Sequence, residues 1–420
     1  MHGTVQGLDP TPVGGSMDVI LSNTVGLLVA AIIVALIARR LRLPYTVGLV
    51  VTGIALALIR IDRGAVLTHD FIFDVILPPL LFEAAINVHW KELRRDALPV
   101  LTLAIVGTVL SAGVVAAGMV SVLGWPVRSA FLFGVLIAAT DPVAVIAMFK
   151  DNRVAGRLRL LVESESLFND GVAAVLFTAV LAWAQATDGI PVTTVEAARA
   201  SLFTVGGGIF VGLACAGAAV AVAWHTSDYL IESTLTTVTA YGSFLLAEHF
   251  QCSGVLATVA AGLVMGNLGV LAEGERGLIS RRGREFVLAL WDFVAFIANS
   301  LVFLLIGLAV AGISFSGLGI TALVVVIALV LLARALTVYP LCLFFAWSHW
   351  AIPIGAQHIL WWGGLRGALG LALALSLPPS VAHRSEILVA TFGVVVFSVV
   401  VQGLTMPLLL RTLAFTSKRE

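Results

Sequence analysis

Long apolar segments separated by short polar stretches run through nearly all of the 420 residues. Only 11% of the residues are charged and 60% are hydrophobic, and the mean hydropathy is +1.07. A water-soluble domain has about 25% charged residues, so a soluble chain of this length could not cover its surface with so few charges. The same figures exclude a disordered, collagen-like or coiled-coil chain. The sequence therefore predicts an all-α polytopic membrane protein.

Thirteen of the apolar segments are long enough for a membrane-spanning helix of about 20 residues. They are continuous rather than alternating, which disfavours a transmembrane barrel. The predicted spans are 17–38, 44–60, 71–88, 97–121, 126–149, 160–185, 197–223, 229–249, 254–272, 286–311, 316–346, 355–377 and 386–410. We expect residues 1–16 to form an extracellular tail, 17–410 the transmembrane domain and 411–420 a short cytoplasmic tail.

The distribution of Lys and Arg predicts the orientation, because cytoplasmic loops carry an excess of positive charge. One set of loops holds 17 of these residues and the other set holds five. The N-terminus is therefore expected outside and the C-terminus in the cytoplasm of a cell carrying this chain in its plasma or inner membrane. The net charge is zero, so nothing indicates a nucleic-acid partner. The cysteines and histidines show no metal-ligand spacing, and no cofactor is expected.

Ionisable side chains inside spans are costly and mark functional sites by default. The residues of this kind are Glu83, Asp141, Glu165, Asp170, Arg334 and Arg366. Each of them is therefore a functional candidate that needs a partner or a ligand.

Asp141 is followed by Pro142, which lacks a backbone N–H and disfavours helical geometry at the residue before it. We expect the fifth span to be broken at Thr140 and Asp141. Such breaks are tolerated at membrane depth where they line a polar cavity.

A second break is expected in the twelfth span. Glycines surround Arg366 at positions 363, 364 and 367 and loosen the helix there. Two interrupted spans at equivalent positions indicate an inverted-repeat transporter. Spans 1–6 and 8–13 are then the two repeats, and span 7 connects them.

The segment ESESLFND presents two polar faces of one helix. Ser166 and Asp170 share one face, and Glu165 and Asn169 share another. The first face offers oxygen ligands, which hard cations such as sodium prefer. The second face suits a structural network, and Glu165 is the natural partner for the permanently charged Arg334.

Five strings follow one another along the chain in a recognisable order. They are TDPVA, ESLFND, NSLVFLLIG, ARALTVY and GGLRGAL, and LPPLLFEAA precedes them. Over about residues 78–370 the sequence resembles the NhaP-type sodium/proton antiporters, prokaryotic relatives of the eukaryotic sodium/proton exchangers. About ten residues follow the last predicted span, which favours a prokaryotic protein without tail-mediated control.

This resemblance implies the NhaA/NhaP-like antiporter fold, with thirteen helices, crossed broken helices, a mobile six-helix core and a homodimer. It implies a sodium and proton site at four residues, with Glu83 nearby through water. The four residues are Thr140, Asp141, Ser166 and Asp170. It also implies that Glu165 pairs with Arg334, that Asn169 completes the Asn-Asp pair, and that Arg366 is the arginine of the second broken span.

The expected activity is secondary active exchange of one monovalent cation for one proton, with both competing at Asp170. Neutralisation of Glu165 by Arg334 and the non-titrating Asn169 favour an electroneutral cycle. Potassium or lithium could replace sodium as the substrate. A cation channel or an intramembrane aspartyl protease using Asp141 and Asp170 are the competing classes, although the YD and GxGD contexts of such proteases are absent. With no nucleotide motif, no enzymatic activity is expected.

Overall fold

The computed structural model describes residues 13–41, 44–59, 68–152, 154–185, 194–272, 279–312 and 318–413. Within these ranges the chain forms eighteen α-helices and no strand, which confirms the all-α prediction. The helices are α1 (Val13–Leu41), α2 (Tyr45–Leu58), α3 (Leu77–Ile86), α4 (Trp90–Arg95), α5 (Ala97–Leu101), α6 (Gly107–Leu123), α7 (Val127–Leu136), α8 (Val143–Asn152), α9 (Arg157–Gln185), α10 (Thr194–Ala223), α11 (Tyr229–His249), α12 (Gly254–Met265), α13 (Arg281–Ala311), α14 (Ile320–Phe344), α15 (Ile354–Trp362), α16 (Ala368–Leu375), α17 (Arg384–Phe397) and α18 (Gly403–Thr412). Short π-helical segments continue some of them, at Phe71–Ile76, Thr102–Val106, Gly266–Val270 and Ser398–Gln402.

Six continuous helices of the described chain are long and apolar enough to cross a membrane. They are Ala97–Leu123, Arg157–Gln185, Arg199–Ala223, Arg281–Ala311, Ile320–Phe344 and Arg384–Thr412. Shorter apolar helices occur at Val25–Ala38, Tyr45–Leu58, Val127–Leu136 and Gly254–Val270. The total of thirteen spans stays a prediction.

The predicted boundaries are displaced where polar residues extend a helix. α13 begins at Arg281 rather than at 286, because the Ser280 hydroxyl caps the helix by accepting from the Gly283 N–H at 3.0 Å. Ser280 itself donates its N–H and hydroxyl to the buried carboxylate of Glu232, at 3.0 and 2.7 Å. α1 begins at Val13, so the predicted tail 1–16 is helical from there, and α18 runs to Thr412 inside the predicted tail 411–420. Residues 1–12 and 414–420 lie outside the described residues.

The buried apolar side chains divide the helices into two groups. The larger cluster is built mainly from α5–α9 together with α14–α18, which we call the core group. Smaller clusters join α1–α3 with α10–α13, which we call the scaffold group. Both interrupted segments of the chain lie in the core group.

Close backbone contact between α2 and α13 stiffens the scaffold group. A Cβ atom on Gly53 would collide with the Leu304 carbonyl oxygen, and one on Gly307 would collide with the Val50 carbonyl oxygen. Small residues permit such close approach between apolar helices, where packing rather than the hydrophobic effect drives association. α2 and α13 thereby form one continuous wall facing the core group.

Candidate ion-binding site at the crossing of two interrupted helices

The first predicted break is present between α7 and α8. Helical structure stops at Leu136 and resumes at Val143, which leaves Thr140 and Asp141 in the link. The Asp141 Oδ1 atom accepts a hydrogen bond from the Val143 N–H at 2.9 Å, so the carboxylate caps the first turn of α8.

The second predicted break is present between α15 and α16. Helical structure stops at Trp362 and resumes at Ala368, with Arg366 in the link. Neighbouring side chains satisfy the freed backbone groups: the Ser398 hydroxyl accepts from the Arg366 N–H at 3.1 Å, and the Gln402 amide donates to the Trp362 carbonyl at 2.9 Å.

The two breaks cross and bind each other directly. The Asp141 N–H donates to the Leu365 carbonyl at 2.7 Å. The Arg366 guanidinium donates in return to the carbonyls of Ala138 and Ala139, at 2.7 and 3.2 Å. Gly367 is required at this point, because a Cβ atom there would collide with the Asp141 side chain.

Hydroxyl and amide groups connect the first break to α9. The Thr140 and Ser166 hydroxyls are 3.0 Å apart and hydrogen-bonded. The Asn169 amide donates to the Thr140 hydroxyl and to the Ala138 carbonyl, both at 3.1 Å, and its oxygen accepts from the Thr108 hydroxyl at 2.8 Å. Asn169 is therefore a fixed structural link between α6, α9 and the break.

Asp170 is the exception in this network. Its Oδ1 atom is buried, yet no hydrogen-bond partner for it exists among the described residues. Asp170, Asp141 and Thr140 line a cavity of about 560 Å³ between the core and scaffold groups. A buried carboxylate oxygen without a partner is costly, so this position suits an exchangeable positive ligand.

Glu83 faces the same cavity from the scaffold group. Its carboxylate accepts from the Asn87 side chain one turn later on the chain, at 2.9 Å. The cavity extends to the ends of three core helices, where Lys150, Arg159 and Arg411 line it. Glu163 and Asp292 also lie along it.

Two ion pairs sit in this outer part of the cavity. Glu163 accepts from Arg159 at 2.9 Å within α9. Asp292 of α13 lies 3.7 Å from Lys150 of α8, and both side chains are more than half exposed. An exposed pair such as Lys150–Asp292 contributes little to stability, so it is a feature of the cavity mouth rather than of the fold.

Glu165 and Arg334 form a bidentate ion pair away from the cavity, with N–O distances of 2.8 and 2.9 Å. Glu165 is 1% and Arg334 7% exposed. The guanidinium also donates to the Leu360 carbonyl in α15, at 3.1 Å from Nη2. The pair therefore ties α9 and α14 to the helix that leads into the second break.

A family model described as sodium/hydrogen exchanger, transmembrane, matches residues 27–412. The chain belongs to this family. It is thus a multi-pass membrane antiporter, and the resemblance drawn from the six strings is confirmed.

Several characterised relatives are similar over most of the exchanger. The Na(+)/H(+) antiporter ApNhaP of Aphanothece halophytica is 38% identical over 90% of this chain and 71% of its own length. The Na(+)/H(+) antiporter NhaH of Halobacillus dabanensis is 33% identical over 92% and 96%, and the antiporter NhaP of Pseudomonas aeruginosa is 35% identical over 89% and 92%.

The solved structure of the sodium proton antiporter MjNhaP1 from Methanocaldococcus jannaschii at pH 8 shares the fold. Its TM-score is 0.70 at 21% identity, covering 94% of this exchanger and 97% of that chain. The predicted antiporter fold is confirmed by this likeness.

Four polar residues of the exchanger's site escaped the sequence analysis. Thr108, Ser398 and Gln402 complete hydrogen bonds of the two breaks, and Asn299 lines the cavity from α13. Gln402 could have been identified from the sequence, because a polar amide in a strongly apolar segment marks a functional candidate. No sequence pattern identifies Thr108 and Ser398, because single hydroxyl residues are common in such helices.

We expect Glu165→Gln and Arg334→Gln each to lower the melting temperature of the detergent-purified exchanger strongly. Removing one partner of a buried pair costs about 3–5 kcal/mol, because the other charge is stranded. The double variant should recover part of the loss. Glu163→Gln, which removes a partly exposed pair on the same helix, is the matched control and should change stability by less than about 1 kcal/mol. Strictly additive single effects would show that the two residues are not energetically coupled.

Proposed function

We propose that the exchanger moves a monovalent cation, sodium first, in one direction and a proton in the other, both competing at Asp170. The observation that carries this proposal is the buried Asp170 Oδ1 atom, which has no hydrogen-bond partner among the described residues and lies in a cavity beside the crossing of two interrupted helices. The similar relatives are Na(+)/H(+) antiporters, which supports sodium as the ion.

The proposed ligands of the cation are oxygen atoms of the crossing. Thr140, Asp141, Ser166 and Asp170 supply two carboxylates and two hydroxyls, the donor type that hard cations prefer. Glu83 on the opposite wall acts through water. A proton on Asp170 removes the charge that holds the cation, so the two ions exclude each other.

Alternating access is proposed to arise from movement of the core group against the scaffold group. The cavity separates the groups and ends where Lys150, Arg159 and Arg411 lie, in loops and helix ends that we propose face the cytoplasm. This arrangement corresponds to an inward-facing state, with the N-terminus outside. The inverted repeats of spans 1–6 and 8–13, connected by span 7, and a homodimer are part of the same proposal.

Asp170→Asn should abolish cation-driven proton movement, because asparagine neither ionises nor carries a proton across the site. The measurement is dequenching of a pH dye in proteoliposomes after addition of sodium, potassium or lithium chloride to purified exchanger. Asp228→Asn makes the same chemical change at the N-cap of α11, outside the cavity, and should keep wild-type exchange. Wild-type activity in Asp170→Asn would refute the assignment of the shared site to Asp170.

The same assay identifies the transported ion. If exchange is faster with potassium or lithium than with sodium, that ion is the substrate instead of sodium.

Apparent sodium affinity should weaken as pH falls, because protons occupy the shared carboxylate. The limiting change is about tenfold per pH unit for one competing proton, while the maximal rate at saturating sodium stays the same. Initial rates over a series of sodium concentrations between pH 5 and 8.5 measure this. A flat affinity with a pH-dependent maximal rate would place the proton and the cation at separate sites.

Exchange should be electroneutral, with one cation for one proton. Glu165 is neutralised by Arg334, Asn169 cannot titrate, and Asp141 is held at the broken helix by the Val143 N–H, so Asp170 is the proposed carrier. A membrane potential of about 100 mV is worth about 2.3 kcal/mol per net charge moved, so electrogenic exchange would shift its reversal point strongly. The potential is imposed with potassium and valinomycin after showing that potassium is not itself exchanged. A voltage-dependent sodium/proton reversal ratio would contradict this stoichiometry and implicate Asp141 or Glu83 as a second carrier.

A further inference from the structure

One face of α13 forms part of the scaffold wall of the cavity. The residues on it are Asp292, Ala295, Phe296 and Asn299, which follow the i, i+3, i+4, i+7 spacing of a single helical face. Asp292 is paired with Lys150 at the mouth. Asn299 lies two turns deeper along the helix and is the last cavity-lining residue on this face.

Asn299 is buried and has no hydrogen-bond partner for its side chain among the described residues. It is 6% exposed, and it lines the cavity that Asp141 and Asp170 line from the core group. The other buried amides behave differently: Asn169 uses both its oxygen and its nitrogen in hydrogen bonds, and Gln402 donates to the Trp362 carbonyl. The amide atoms of Asn299 are not among the sealed, unsatisfied polar atoms of the described residues, so they are open to the cavity. An amide that no protein group engages on the wall of an ion pathway is available to a ligand that is transiently present.

The adjacent residue provides an internal comparison. Ser300 is also buried, and its hydroxyl also lacks a partner within the described residues, but Ser300 does not line the cavity. The two neighbours therefore share burial and an unmet polar group, and they differ in access to the ion pathway.

We propose that the Asn299 side-chain oxygen is a scaffold-side ligand of the transported monovalent cation, directly or through one water molecule. Amide oxygens coordinate hard cations, and a neutral ligand strengthens cation binding without adding a titrating group to the site. Asn299 then replaces part of the hydration shell from the wall opposite Asp170, and it adjusts affinity and ion preference without altering the charge exchanged. This inference rests on the proposed cation exchange.

The test compares initial exchange rates of wild type, Asn299→Ala, Asn299→Asp and Ser300→Ala in proteoliposomes at one fixed pH. Loss of one oxygen ligand should raise the apparent KM of Asn299→Ala for sodium by about tenfold while the maximal rate stays within about twofold. The relative KM values for lithium, sodium and potassium should also change. Asn299→Asp keeps an oxygen at the same place and adds a negative charge, so its KM for sodium should be no more than about threefold above the wild-type value. Ser300→Ala should match wild type.

A purely structural role for Asn299 makes a different set of predictions. It would lower the melting temperature and the maximal rate, leave the KM for each ion unchanged, and give no rescue by aspartate. An unchanged KM in Asn299→Ala, or a raised KM that Asn299→Asp fails to restore, overturns the proposal. Where Asn299→Ala does not fold, Asn299→Ser, which retains a shorter oxygen donor, takes its place and should show an intermediate KM. Absence of any cation-driven proton movement in wild type would instead overturn the proposed exchange itself.

Discussion

The site depends on the hydrogen bonds that two broken helices make to each other's free backbone groups. Each break frees backbone carbonyls and N–H groups at a depth where water is scarce, and each unsatisfied group there costs several kcal/mol. Arg366 from one break donates to the Ala138 and Ala139 carbonyls of the other, and the Leu365 carbonyl accepts the Asp141 N–H in return. Neither break is stable without its counterpart, so the position of Asp141 is set by the crossing as a whole.

Much of this arrangement could be predicted from local sequence, because the residues that break a helix act on their own neighbourhood. Pro142 and the glycines around Arg366 marked both interruptions, and the charge of Arg334 inside a span called for an acidic partner, which the structure supplies as Glu165. The start of α13 was missed, because capping by Ser280 relies on Glu232 from a different helix.

The residues that hydrogen-bond to the freed backbone of the breaks could not be predicted, because they come from helices distant in sequence. Thr108 and Ser398 meet Asn169 and the Arg366 backbone only through the packing of distant helices. Asn299 stood in one of the strings that carried the family resemblance, yet its position on the cavity wall required the register of α13 against the core group. Sequence patterns therefore predicted the two breaks and the Glu165–Arg334 pair, and left the residues around them open.

The two walls of the cavity differ in chemistry, and the difference bears on movement. The core wall carries the carboxylates of Asp141 and Asp170, while the scaffold wall offers Glu83, the Tyr45 phenol and the Asn299 amide. The scaffold itself is stiffened where Gly53 and Gly307 let α2 and α13 touch. In the proposed alternating access, a core that moves along this wall keeps Asp141 and Asp170 with the cation, while the scaffold contacts of Glu83 and Asn299 change.

The charge balance of the crossing indicates which states can move. Asp141 and Asp170 contribute two carboxylates, Arg366 contributes one guanidinium bound to the Ala138 and Ala139 carbonyls of the first break, and Glu165 and Arg334 cancel each other. With both carboxylates ionised the crossing carries one net negative charge, and a single bound cation or proton brings it to zero. Displacing a net charge through a low-dielectric barrier is expensive. In the proposed exchange, the cation-bound and the proton-bound crossing are therefore both neutral, and both can move between the two sides of the membrane. The ion-free crossing carries a net charge and moves less readily. This difference couples cation movement to proton movement.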